Sequence, residues 1–317
     1  MTIVPYITGT PEWHALRAKH VGASEVSALY GIQPDYALSY YALWMVKAGL
    51  ADPPDVSGER IFWGSRLESL IAEVTAEAEG WTIRKGGYAS DDLCPGLGAS
   101  MDYEILGSPE LEDEGYFGDG ALECKAVDWL VHKKKWTDEE PPAHILLQLQ
   151  TQCAARGFSW GCVAALVSGN ERRLYRYHAR PPLIAGVRER TKAFWASIRE
   201  NKRPDPDGSD GAMHILRQLY PEIQDDLIDL SGDNELPELC ADALRMQRER
   251  LDAKKTEEAI KARIIEKLNG HARATTEGFF VSMTVTQPNP GRAPRAGELI
   301  GVRKEIRKLN VNESVMA

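Results

Sequence analysis

The chain has 317 residues, with 38 Lys and Arg against 47 Asp and Glu, so its formal charge is −9 at pH 7. At 43% hydrophobic and 27% charged it has the composition of a globular protein with material for about two domains, which excludes a disordered, collagen-like or disulfide-scaffold chain. An acidic chain is not an obvious nucleic-acid binder, since neutralising phosphates needs basic surface. The start Met1–Val4 opens no basic and then apolar run, and no apolar stretch approaches the roughly 20 residues of a membrane span; the expected compartment is the cytoplasm, with no membrane partner. Cys94, Cys124, Cys153, Cys162 and Cys240 are scattered and never form a C-x-x-C pair, so reduced, mostly buried thiols are expected.

In chain order, Thr10 is a candidate cap for a helix opened by Pro11, with Trp13 and Leu16 on one face, and Ser24 for a second short helix ending at Gly31. A longer amphipathic helix runs from Gly58 to Gly80, with Trp63, Leu67, Leu70, Ile71, Val74 and Ala78 at the helical period. Short strands are expected at 81–84, 97–103 and 120–127. Pro141 and Pro142 open a helix that continues through Arg156 to Gly157. The run Cys162–Val167 reads as a buried strand, turned at Ser168–Asn170 into Leu174–Tyr177, and a helix over 182–200 closes the unit. This alternation indicates an α/β (α+β) domain. The expected organisation is a first domain over 1–204, a linker over 205–236 that begins with the Pro- and Asp-rich stretch after Arg203, and a C-terminal region over 237–317. That region reads as a long charged helix or helix pair over 237–268, a strand over 279–285 and a flexible tail from Gln287.

The net charge hides a segregation. Residues 86–140 carry four basic and fourteen acidic side chains, and residues 141–203 carry eleven basic and three acidic. Adjacent blocks of opposite sign suggest an acidic site beside a basic channel for a phosphate backbone.

The stretch Gly120–Ala126 holds the main chemical signal. In a strand, Glu123 and Lys125 share one face while Leu122, Cys124 and Ala126 point to the other, so a carboxylate and an ammonium are expected together on an exposed face. Asp102 ends the apolar run Leu97–Met101, and if the two strands are neighbours the three side chains converge. Two nearby carboxylates suit a hard divalent cation that keeps several waters, and a lysine beside them can hold an attacking water. Glu68, on the edge of the 58–80 helix stripe, is a candidate third ligand, and His144, Gln148 and Gln152 line one face of the following helix with neutral hydrogen-bonding groups.

Six short motifs carry a resemblance. Trp13 and Arg17, then Gly22–Glu25 with Gly31, then Trp63, Gly64 and Glu68, then Gly98–Ser100 with Asp102, then Glu123 and Lys125, then Gln148–Gln150 resemble the ordered series of the YqaJ-type viral recombinases. That family stands with λ exonuclease in the PD-(D/E)XK superfamily, and the match runs from about residue 10 to 204. The resemblance implies a restriction-endonuclease-like core, a central mixed β-sheet flanked by helices, here followed by a C-terminal helical arm and a short β segment. It implies Asp102, Glu123 and Glu68 as ligands of Mg²⁺, with Mn²⁺ as substitute, Lys125 as catalytic lysine, Gln148 as the glutamine that closes the active centre, and Arg17 with Ser24 as contacts to a DNA 5′-phosphate. A serine at a helix N-terminus and the arginine fork suit a phosphate. The implied activity is a Mg²⁺-dependent 5′-to-3′ exonuclease acting on linear duplex ends, leaving 3′ single strands for a single-strand annealing protein, with a homotrimer suggested by analogy. An endonuclease of the same fold and a weakly catalytic DNA-end-binding module are the alternatives. Met101 stands where the family has Pro, Tyr103 where Gly is common, and no clear arginine matches the one the family has after Lys125, only His132–Lys135; these departures bear on processivity and end preference.

Overall fold

The computed structural model describes residues 10–54, 58–137, 140–222, 224–286 and 306–313, the last eight together with Val285 and Thr286 by backbone alone. The chain divides into two compact units, Met1–Ile223 and Gln224–Ala317.

The first unit opens with α1 (Pro11–Ala18), whose cap Thr10 accepts the Trp13 N–H through its hydroxyl. A two-residue strand β1 (Val21–Gly22) leads through a turn into a 3-10 segment, Val26–Tyr30, that ends at Gly31 with φ +65°. Helix α2 (Tyr40–Lys47) is capped by Ser39, and α3 (Glu59–Glu79) stops at Gly80 in the left-handed conformation. Then come β2 (Ile83–Lys85), β3 (Tyr88–Asp91), β4 (Cys94–Ser100), β5 (Tyr103–Ile105), the short α4 (Pro109–Asp113) and β6 (Gly120–Val127). Helices α5 (Trp129–Lys135) and α6 (Ala143–Arg156) precede the hairpin β7 (Trp160–Val167) and β8 (Glu171–His178), after which α7 (Pro181–Arg199) and α8 (Asp210–Leu219) complete the unit.

A five-stranded mixed sheet has the order β2-β5-β6-β7-β8, with β6 and β7 its parallel pair. Its two faces carry two cores, set by the two-residue period of the strands. Leu122 and Cys124 of β6 and Cys162 and Ala164 of β7 pack against Ile71 and Ala72 of α3. Ala121, Val163 and Ala165 point the other way, onto Ile145, Leu149 and Cys153 of α6. Thus β6 is covered on both sides, and the odd-numbered positions that include Glu123 and Lys125 lie on the α6 side. A smaller sheet, β1-β4-β3, joins β1 to β4 in parallel and β4 to β3 antiparallel. The 3-10 segment, α2, α7 and α8 share a third core around Tyr41, Trp44, Phe194 and Ile215.

The mixed sheet with flanking helices is the architecture expected, but several local readings differ. Ser24 caps no helix: the residue before the 3-10 turn is Glu25, which makes no side-chain cap, and its carboxylate instead accepts the Gly22 N–H. The expected strand 97–103 is interrupted at Met101–Asp102, because the chain leaves β4 of the small sheet there to enter β5 of the large one. Helix α3 buries Ile71, Ala72, Thr75 and Ala76, whereas Trp63, Leu70 and Val74 of the expected stripe are about half exposed. Its inner face follows the small residues, which let it sit close to the sheet. Elements α2, β3 and α8 were not expected; α2 is apolar nearly all round and carries no amphipathic signal, and α8 lies inside the stretch read as a linker.

The second unit holds α9 (Leu236–Leu268), one continuous helix where a helix or a pair was expected, and an antiparallel sheet of β9 (Arg273–Thr276), β10 (Phe279–Thr286) and β11 (Ile306–Glu313). β11 falls in the stretch read as tail; residues 287–305, like Met1–Val4, lie outside the described residues. No disulfide links the cysteines, of which Cys240 alone is exposed. Among the described residues no helix is long and apolar enough to cross a membrane.

Candidate active site

A cleft of about 420 Å³ opens beside the C-terminal half of β6 and gathers residues from α1, β1, α3, β3, β4, β6, α6 and the links between elements, among them Arg17, Glu68, Asp102, Glu123, Lys125 and Gln148. The break between β4 and β5 places Asp102 beside β6: its Oδ2 accepts the Cys124 N–H at 2.9 Å. Glu123 is 1% exposed, not on an open face as the alternation alone suggested, because α6 covers it. Lys125 donates to Glu123 Oε1, Gln148 donates to the same oxygen at 2.7 Å, and Gln152 donates to Oε2. Both carboxylate oxygens are therefore engaged, and Gln148 and Gln152 reach them from one helix face because they lie four residues apart.

Burial, and then the neighbouring charge of Glu123, push Asp102 well above the ordinary carboxylate range, against the opposing effect of Lys125. Burial opposes the charge on Lys125, yet Glu123 and Asp102 outweigh it and hold its pKa above the usual value. Lys125 is thus an ammonium at neutral pH, suited to donate a hydrogen bond or stabilise negative charge rather than to take up a proton. Burial and the nearby Lys125 and Lys135 lower His144, which places the basic end of α5 within electrostatic reach of the α6 N-terminus.

Glu68 lines the cleft, but its carboxylate pairs with Lys85 of β2. Among the described residues no three His, Cys, Asp or Glu side chains are grouped as a cation site. The pair Asp102 and Glu123 still has the donor chemistry for one: a hard divalent cation is commonly held by one or two carboxylates, with water and substrate oxygens completing its shell. Burial is the larger cause of the raised Asp102 pKa and the charge of Glu123 the second, and a cation bound between the two acids would offset that second contribution.

At the other end of the cleft Arg17 stacks on Trp13, its guanidinium carbon 4.8 Å from the ring centroid, while Trp13 Nε1 donates to Ser100 Oγ at 3.2 Å. Ser24 lines the same space. Arg17 also meets Glu25 at 2.5 Å, and Glu25 is bound at 2.8 Å by Lys47, whose side chain is 3% exposed. Burial works against the Glu25 carboxylate, but Arg17 and Lys47 overcome it and bring its pKa to about 2. Arg17 and Ser24 are legible in the sequence, whereas the roles of Glu25, Lys47, Lys85 and Ser100 are not; a lysine closing α2 thirty residues from Arg17 offers no local signal.

The basic block of 141–203 is not a bare channel. Arg156 is held by Glu104, Arg172 and Arg176 by Glu79, and Arg188 by Asp91, so acids of the first half neutralise bases of the second within the fold. Exposed Arg60 lines the cleft itself, and the exposed cations that follow Lys125 in sequence are Lys133, Lys134 and Lys135 of α5, where Trp129 is also 50% exposed with Lys133 over its ring.

A curated relative, the uncharacterised protein YqaJ of Bacillus subtilis (strain 168), is 25% identical over 228 residues, 70% of this chain and 67% of that protein. The crystal structure of LHK-Exo in complex with dAMP is similar with TM-score 0.51 and 21% identity, covering 61% of this chain and 94% of the other. A second structure of LHK-Exo, described as an alkaline exonuclease from Laribacter hongkongensis, covers 67% of this chain and 99% of its own with TM-score 0.49 and 19% identity. The first of these likenesses supports a shared fold. Residues 12–159, which contain the cleft acids, Lys125 and Gln148, match the model of the YqaJ-like viral recombinase domain.

Proposed function

We propose that the protein is a divalent-cation-dependent deoxyribonuclease that digests linear duplex DNA from its ends, 5′ to 3′, and exposes 3′ single strands for an annealing partner. The observation that carries this reading is the convergence of Asp102, Glu123 and Lys125 in one cleft that also holds Arg17. The likeness to the exonuclease LHK-Exo supports the same reaction class. Catalysis falls to the front unit, and the unit from Gln224 onward serves partner recruitment or assembly, including any homo-oligomer.

Asp102 and Glu123 would hold the cation, Mg²⁺ with Mn²⁺ as substitute, and Glu68, here paired with Lys85, is the candidate third ligand. When bound, the cation polarises the scissile phosphodiester and offsets the charge that builds on it. Lys125 donates a hydrogen bond to the attacking water or a phosphoryl oxygen and stabilises the developing negative charge. Gln148 orients Glu123 without adding charge. The Arg17 fork, aimed by its stack on Trp13, and the Ser24 hydroxyl receive the terminal 5′-phosphate.

The test of polarity and end recognition is digestion of linear duplexes carrying a 5′-phosphate or a 5′-hydroxyl, each labelled at one end, with Mg²⁺ or EDTA. The reading predicts label loss from the 5′ side, faster with the phosphate and absent in EDTA. Loss from the 3′ side, or equal rates in EDTA, contradicts it.

A further inference from the structure

Gln152 of α6 is fully buried. Its Nε2 donates both to Glu123 Oε2 and to the Ser100 carbonyl, the latter at 3.2 Å. Both neighbours can only accept, so the amide must present its nitrogen to both, and its Oε1 is left as a buried acceptor without a hydrogen bond. Such an orphan costs about 1–3 kcal/mol, which makes Gln152 a poor choice for stability alone; methionine has nearly the same length and no oxygen to leave unpaired. What the amide provides is a link between strands. Ser100 ends β4, two residues before Asp102, whereas Glu123 lies in the middle of β6. One side chain therefore ties the Glu123 carboxylate to the backbone that carries Asp102. Gln148 and Lys125 hold only the opposite oxygen, Oε1, and leave the carboxylate free to pivot about it.

We propose that Gln152 is a positioning residue that fixes the Glu123 carboxylate relative to Asp102, so that the two acids present their oxygens to a divalent cation at a set separation. This rests on the reading of Asp102 and Glu123 as the cation seat. Partners that orient ligands in this way typically govern metal affinity or activity by 10–100-fold.

The experiment uses the full chain as wild type, Gln152→Met and Asp102→Asn, with Gln152→Leu as a second apolar variant. Mn²⁺ binding is measured by calorimetry without DNA, the thermal midpoint in EDTA, and kcat and KM on linear duplex over a range of Mg²⁺. Both Gln152 variants are expected to keep a midpoint at or above that of wild type in EDTA and to bind Mn²⁺ about 10–100-fold more weakly. Their kcat falls at low Mg²⁺ and recovers as Mg²⁺ is raised, while KM for DNA stays within about twofold. Unchanged Mn²⁺ affinity in both variants overturns the proposal, as does a lowered midpoint with unchanged affinity, the signature of a packing role. If wild type binds Mn²⁺ no better than Asp102→Asn, the cation-seat reading fails first and takes the proposal with it.

Discussion

Glu25→Gln removes the one carboxylate that Arg17 and Lys47 share, and the structure sets the size of the effect. The Glu25 pKa falls from the ordinary 4.5 to about 2 on folding. A drop of about 2.5 units at 1.36 kcal/mol each corresponds to about 3 kcal/mol. The same ion cluster gives part of this back: burial costs Lys47 more than Glu25 returns, and its pKa is lowered. About 3 kcal/mol is therefore an upper figure for the cluster as a whole, although a Lys47 left buried and unpaired adds to the damage in the variant. Because the folded-state pKa is the lower one, the stabilisation is fully present above pH 4.5 and is lost as the pH falls toward 2. Urea unfolding of wild type and Glu25→Gln at pH 7 and pH 3 measures it. Wild type is expected to lead by up to about 3 kcal/mol at pH 7 and by roughly half of that at pH 3. A lead under about 0.5 kcal/mol at pH 7, the level of an exposed ion pair, or one that does not change with pH, refutes the argument.

Three further outcomes follow from the geometry. Lys125→Ala is expected to lower kcat on linear duplex by about 10²–10⁴-fold, as loss of a positioned donor to developing charge does, with KM little changed; a drop under threefold in rapid-quench assays removes Lys125 from the chemistry. Gly120→Ala at the start of β6 places a Cβ 2.5 Å from Trp160 Cε2 in the core, so a loss of about 1–3 kcal/mol is expected in thermal unfolding, and an unchanged midpoint contradicts the packing described. Replacing Lys133, Lys134 and Lys135 together by Ala is expected to weaken DNA binding at all sequences alike and to flatten the slope of log affinity against log salt by up to about 2.7; an unchanged slope excludes α5 from the DNA path.

The parts of this protein that the sequence made legible are those where one strand or helix carries the whole signal. The alternation over Gly120–Val127 gives β6 and the shared side of Glu123 and Lys125, and the four-residue spacing of Gln148 and Gln152 puts both amides on one face of α6. The even period could not say that α6 roofs that side, so Glu123 was expected in the open and is buried. Asp102 was recognisable as the end of an apolar run, but the reason it reaches β6 is a change of sheet at Met101–Asp102, a non-local event without a periodic trace. Helix α3 misled because Trp63, Leu70 and Val74 stay about half exposed along its length, while Ile71, Ala72, Thr75 and Ala76 form the buried face. Charge blocks were visible as sums, yet pairs such as Arg156 with Glu104 and Arg188 with Asp91 join residues 52 and 97 positions apart, and only the fold brings them together.

The central claim is that the cleft around Asp102, Glu123 and Lys125 hydrolyses DNA from its ends. The measurement that tests it most directly is release of acid-soluble nucleotide from one plasmid, linearised or covalently closed, by wild type and Asp102→Asn in Mg²⁺. Wild type should degrade the linear form steadily, leave the closed circle intact, and lose at least about a hundredfold in rate on Asp102→Asn substitution. Cutting of closed circles as fast as linear molecules, or equal rates for wild type and Asp102→Asn, contradicts the account.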